Sequence, residues 1–266
     1  MINALEEIDH LKSLLDTLRP LPPSVVAEMK QRNDVRFSYN STAIEGNTLT
    51  QNETALVLQD GLTIGGKRLS EHLEIIGHKQ AIDYIETLAA KDEPVGEWQI
   101  RQMHQLIMYS NSQDAGRYRT VNVMAAGSGY KYPDQLQVPE LMAQFEQWLS
   151  ASEKHPVIKA AEAHYRFVSL HPFSDGNGRA ARLFQNLLLL QNGYPPITLL
   201  VSDRAHYIDS LFQAQTNNED LSNFLYFVCK RQMDALKETL EVAATSGELM
   251  DKKTKACKRA LDALRD

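Results

Sequence analysis

Between residues 171 and 182 the chain reads HPFSDGNGRAAR, a run that imposes a helix, a sharp break and a second helix. Ahead of it, Ile158, Ala161, Tyr165 and Val168 recur on one helical face. Pro172 must end that helix, because proline lacks the N–H the next turn needs and restricts the residue before it. His171 therefore stands at a helix exit. Beyond the break, Leu183, Leu187 and Leu190 mark the buried face of the next helix. Gly176-Asn177-Gly178 lets the backbone take positive φ angles, so that successive N–H groups converge at the helix start and form a site for phosphate oxygens.

The side chains around this turn supply what nucleotidyl transfer needs. Arg179 and Arg182 are three apart and so neighbours on a helix, where two guanidinium forks can hold phosphates. Asp175 offers a hard oxygen to a Mg²⁺ that keeps most of its coordination for water and phosphate. His171 can take a proton from a hydroxyl near neutral pH. Singly, each has a bland reading as a cap, a turn or a solvated face; a contiguous run of all of them selects the chemistry.

The rest of the sequence is dominated by helical periodicity. Ile8, Leu11, Leu15 and Leu18 give a first helix ended by the prolines of 19–23. Ser24 is positioned to cap a second, running to Ile44 and stopped by Gly46-Asn47. Thr50-Gln51-Asn52-Glu53 has capping-box form, with Gly61 as terminator. Helices are predicted around Leu73–Ile85 and Trp98–Tyr109, and over 138–151, 156–170, 178–191, 204–216 and 221–244, with a charged one to about Leu264. Residues 117–133 read instead as a β-hairpin with the small-residue tip 125–129. The fold class is all-α with a small β-hairpin flap. It divides into an N-terminal helical region (1–94), a catalytic unit (95–232) and a C-terminal helical extension (233–266).

The 28 basic against 34 acidic residues leave a net charge of −6, which gives no general attraction to nucleic acid or anionic membrane. The basic stretch Lys252 to Arg259 is flanked by aspartates and reads as a solvated face. Two cysteines, Cys229 and Cys257, without CxxC spacing fit a reducing cytoplasm. No apolar run reaches the ~18 residues of a spanning helix, and the N-terminus is acidic where a signal peptide is basic. His104 and His164 lie on helical faces and read as packing or surface residues, not as metal ligands.

HPFSDGNGRAAR resembles the core motif of the Fic family, HPFx[D/E]GNGRxxR, and matches at every defined position. The resemblance runs from about Val95 to Gln232 and includes Gly116 to Arg119. It implies an all-α core with a flap that pairs with a target segment, ATP and Mg²⁺ as cosubstrates, and transfer of AMP to Tyr, Thr or Ser of a target protein. His171 is then the general base, Asp175 the metal ligand, Gly176, Asn177 and Gly178 the anion hole, and Arg179 and Arg182 the phosphate ligands. Related toxin-type kinases carry Lys at the place of Gly178, which argues against that branch. Ser41 to Asn47, STAIEGN, is similar to the inhibitory motif [S/T]xxxE[G/N]; by that resemblance Glu45 pairs with Arg182 and allows ATP to bind only unproductively. The stretch YIDSLFQAQ is similar to YYxxLxxAN and implies adenine contacts at Tyr207 and Gln215, with Ile208 and Gln215 departing from the pattern. The resemblance also allows a homodimer. Rival readings are Glu45-dependent removal of AMP, a different phosphodiester donor, and a nucleotide-sensing module whose basic C-terminal helix meets DNA.

Overall fold

The computed structural model describes residues 2–91, 94–111, 113–124, 130–217 and 219–245. Among these, ten α-helices follow one another: α1 (Ile2–Leu18), α2 (Pro23–Ile44), α3 (Gln51–Asp60), α4 (Leu69–Lys91), α5 (Glu97–Ile107), α6 (Val138–Ala151), α7 (Pro156–Leu170), α8 (Asn177–Gln191), α9 (Arg204–Thr216) and α10 (Ser222–Thr245). Single 3₁₀ turns at 135–137 and 201–203 lead into α6 and α9.

Helix α8 is the centre. Twelve of its 15 residues are buried, including the polar Asn177, Arg179, Arg182, Gln185 and Asn186, so its partners must supply polar groups as well as apolar ones. It packs against α7 and α4, with α5 and the end of α2 completing the shell. Ala160, Ala161 and Ala163 of α7 and Ala180 and Ala181 of α8 are fully buried, side chains small enough for close approach of two helices. Helix α1 buries Ile8, Leu11 and Leu15 and lies along α10, so both ends of the described chain close on one hydrophobic cluster that extends from Ala4 to Ala243. A smaller cluster of Leu49, Val57 and Ile75 holds α3 against α4.

Local signals explain most helix ends. Thr50 and Glu53 form the reciprocal capping box, and Gly61 takes the left-handed conformation that closes α3. Gly46, at φ 107, lets the chain leave α2 immediately after Glu45. One start is corrected: α2 begins at Pro23, with Pro22 rather than Ser24 at the capping position. Proline's fixed φ suits the first helical turn, where its missing N–H costs nothing. The expected hairpin is represented, among the described residues, by a single antiparallel bridge between Met124 and Lys131 and by no strand. Its expected tip at 125–129, like the charged helix to about Leu264, lies outside the described residues. The boundary expected after residue 232 falls within α10. Among the described residues no helix is long and apolar enough to cross a membrane.

Candidate active site

The sequence-predicted residues His171, Asp175, Gly176, Asn177, Gly178, Arg179 and Arg182 meet where α7 ends and α8 begins. His171 is the residue after α7, in the left-handed region at φ 49, and its N–H still donates to Phe167 O at 3.0 Å. That strained conformation turns the imidazole off the helix, where Tyr132 stacks on it at 4.0 Å between ring centroids. The Val168 carbonyl lies 3.4 Å from Nδ1, so the ring proton belongs on Nδ1 and Nε2 keeps its lone pair. Burial holds the imidazole pKa down to about 4, which leaves it neutral at physiological pH, with the Nε2 lone pair free.

Asn177 closes the turn. Its amide donates to Phe173 O at 2.9 Å and accepts from Phe173 N at 3.0 Å, so its side chain braces the loop while the backbone of 176–178 opens α8. Gly176 at φ 76 sits where a Cβ would meet Met108 Sδ at 3.0 Å and His104 Nε2 at 3.1 Å. Gly178 is more restrictive: a Cβ there would collide with Glu45 Oε1 and come within 3.1 Å of Arg182 Nη1. Asp175 is 70% exposed at the mouth, with Oδ1 accepting from Gly176 N at 2.6 Å and Oδ2 3.4 Å from Arg179. One exposed carboxylate beside an anion-binding turn fits a Mg²⁺ delivered with nucleotide phosphates. Among the described residues no group of three His, Cys, Asp or Glu is placed to hold a metal unaided.

The two arginines are both engaged by carboxylates. Arg182, only 2% exposed, donates from Nη2 to Glu45 Oε1 and to Ser41 O, each at 2.7 Å, and from Nε to Ser41 Oγ at 3.0 Å. Burial works against its charge, but Glu45 and Tyr207 together outweigh that and raise the guanidinium pKa. Ser41 and Glu45 are brought here because the last turns of α2 are buried, Ser41 against Arg182 of α8 and Ser38 against His78 of α4, and Arg204 Nε caps the Ile44 carbonyl at 2.8 Å. Arg179 is held by Glu74 Oε1 of α4 at 2.5 Å. Burial raises the Glu74 pKa, against the opposing pull of Arg179 and Asn47.

Tyr207 and Gln215 occupy different settings. Tyr207 is fully buried beneath Arg182, its ring 6.0 Å from the guanidinium carbon and its hydroxyl donating to His164 Nε2 at 2.9 Å. It supports Arg182 from below. Gln215 is partly exposed and donates to Ser169 Oγ at 3.0 Å, beside the last turn of α7.

Three residues outside the expected set help to build the site. His104 stacks flat on Phe173 at 3.6 Å, accepts from Gly116 N at 3.0 Å and donates from Nε2 to Asp175 O at 2.9 Å, tying α5 to the anion loop. Burial lowers its pKa to about 4 and keeps it the neutral tautomer this pattern requires. Both His104 and His164 are fully buried, so the packing alternative holds and the surface one does not. Arg119 donates from Nε to His171 O at 2.8 Å and from Nη2 to Pro133 O at 2.5 Å, while its N–H donates to Pro172 O at 3.0 Å. It thereby fastens both legs of the 117–133 segment to the His171 turn. Glu74 is the third, and no periodicity or spacing distinguishes it from the other glutamates of α4.

A family model described as the Fic/DOC family matches residues 94–189. A protein adenylyltransferase Fic of Nematostella vectensis is 33% identical over 240 residues, which cover 86% of this chain and 55% of that protein. The chain thus spans about half the length of such relatives. Among solved structures, residues 134–508 of Fic-1 from C. elegans superpose with a TM-score of 0.81 at 32% identity, covering 92% of this chain and 73% of that one. A Fic domain containing signaling protein from Bacteroides thetaiotaomicron superposes with a TM-score of 0.83 at 29% identity, covering 89% and 97%.

Proposed function

The chain belongs to the Fic/DOC family, and from that premise we propose that it transfers AMP from ATP to a hydroxyl side chain of a protein, with Glu45 as a built-in inhibitor. The observation that carries the reading is the convergence on one end of α8 of a neutral His171, an exposed Asp175, the 176–178 turn and an Arg182 whose charge is already taken by Glu45.

In the forward reaction the target hydroxyl oxygen attacks the α-phosphorus of ATP and its proton passes to His171 Nε2. The bond from the α-phosphorus to the bridging oxygen breaks, and pyrophosphate leaves. The backbone N–H groups at the start of α8 and the guanidinium of Arg182 stabilise the charge that develops on the phosphates. Asp175 would hold Mg²⁺, which when bound would supply positive charge to offset that of the leaving group. Tyr132, stacked on the imidazole, holds it in one orientation. With Glu45 on Arg182, the γ-phosphate is denied its partner and ATP lies in an unproductive pose. Gln215, at the edge of the site, is the candidate for the adenine side.

The test is incubation with ATP labelled on the α- or the γ-phosphate. Label from the α-position on protein, lost in His171→Ala, supports AMP transfer. Label from the γ-position instead would mean kinase chemistry, and undiminished transfer by His171→Ala would remove it as the base.

A further inference from the structure

Two carboxylates share the guanidinium of Arg179. Glu74 Oε1 meets Nη1 at 2.5 Å, whereas Asp175 Oδ2 lies 3.4 Å from Nη2. The tighter contact belongs to the residue outside the motif. Arg179 is almost fully buried, and a buried cation requires a carboxylate; with Glu74 in place it need not draw in Asp175. Asp175 accordingly stays exposed, with Oδ1 held by Gly176 N and Oδ2 in only the looser 3.4 Å contact with Arg179. Glu74 is itself aimed by Asn47, whose Nδ2 donates to Oε2 at 2.9 Å. Asn47 lies two residues beyond Glu45, so the turn that ends α2 addresses both arginines, one directly and the other through Glu74.

We infer that Glu74 is a positioning residue for metal binding: by satisfying Arg179 it keeps Asp175 open to the divalent cation that arrives with the nucleotide. The inference rests on the reading of Asp175 as the metal ligand. Neutralising Glu74 leaves the Arg179 charge with Asp175 as its remaining carboxylate partner, four residues away on the same turn, and the cation then competes with an internal ion pair.

The experiment is calorimetric titration of a nonhydrolysable ATP analogue, with and without Mg²⁺, into Glu45→Gly protein carrying further substitutions. The ratio of the two affinities isolates the contribution of the metal. Glu74→Gln, which keeps the shape and an oxygen for Arg179, should lower that ratio about tenfold, the scale of outer partners of metal ligands. Metal-free affinity should stay within about twofold. Adding Arg179→Gln to Glu74→Gln should restore the ratio, because the competitor for Asp175 is gone; a merely structural role for Glu74 predicts further loss instead. Should Glu74→Gln not fold, Asn47→Ala, which removes the donor that aims Glu74, is expected to shift the ratio the same way by a smaller factor. An unchanged ratio in these variants, with the Mg²⁺ gain abolished by Asp175→Asn, overturns the role of Glu74 alone. A Mg²⁺ gain that survives Asp175→Asn overturns the metal reading on which it rests.

Discussion

Replacing Glu45 by glycine should raise AMP transfer, and the structure sets the scale. The side chain makes one charge-assisted contact, Oε1 to Arg182 Nη2 at 2.7 Å, worth about 1.5–3 kcal/mol for a hydrogen bond between charged groups. Glu45 is 39% exposed, so solvent screening places the value near the lower end. Freeing about 1.5 kcal/mol at a guanidinium that then serves the γ-phosphate in the transition state corresponds to a roughly tenfold faster reaction. Arg182 loses its carboxylate partner but keeps its bonds to Ser41 O and Oγ, so the guanidinium stays hydrogen-bonded and a melting curve recorded beside the assay checks that the variant folds. Removing the carboxylate also clears the space next to Gly178 where phosphate oxygens must approach. The assay is auto-labelling with α-phosphate-labelled ATP for wild type, Glu45→Gly and Glu45→Gly with Arg182→Ala. No activation would refute the inhibitory role, and activation that persists without Arg182 would refute the ion pair as its cause.

Two further outcomes concern the scaffold. Asn177→Ala leaves the buried Phe173 N–H and C=O without their partner, at a cost of about 1–3 kcal/mol each, so thermal melting should drop by several degrees and nucleotide affinity should fall with it; an unchanged melting temperature would mean the loop is braced elsewhere. The neutral, buried His104 and His164 have pKa values held by burial to about 4 and about 3 in the folded chain, against about 6.5 when unfolded. Below pH 6.5 the unfolded chain takes up protons that the folded one refuses, so their stabilisation is present above that value and is lost as pH falls toward 4. Together they should cost about 3 kcal/mol between pH 6.5 and 5, read as a falling melting temperature; a flat profile over that interval would show that these rings stay solvated.

What the sequence disclosed depended on whether a residue acts through its neighbours in the chain or across it. The 171–182 run was legible because α7, the break and α8 are contiguous, so Pro172, the glycines and the arginine spacing place one another with no knowledge of the remainder. Thr50, Glu53 and Gly61 were legible for the same reason. Ser24 was misread because two local rules competed there, and the preset φ of Pro23 prevailed over a hydroxyl cap. Residues that act across the fold left no such trace. His104 reaches Asp175 over 71 positions and Glu74 reaches Arg179 over 105, and on their own helices they are only a histidine on an apolar face and one glutamate among several.

The end of α2 lies between these cases and explains why. Its buried face carries Ser38, Ser41 and Thr42, which weakens the apolar periodicity that normally identifies the inner side of a helix. Ser41 is inside because α8 presents the buried Arg182, while the Ser38 hydroxyl meets His78 of α4 and that of Thr42 donates to carbonyls of its own helix. Arg182 takes three oxygens from the end of α2 and the residue that follows it, two from Ser41 and one from Glu45, and so makes this end of the helix part of the polar core. A helix used only for packing would offer leucines here; one built only to inhibit would not need Ser41. The polar interior face is therefore the structural signature of an element that supplies oxygens to a buried guanidinium as well as packing against it.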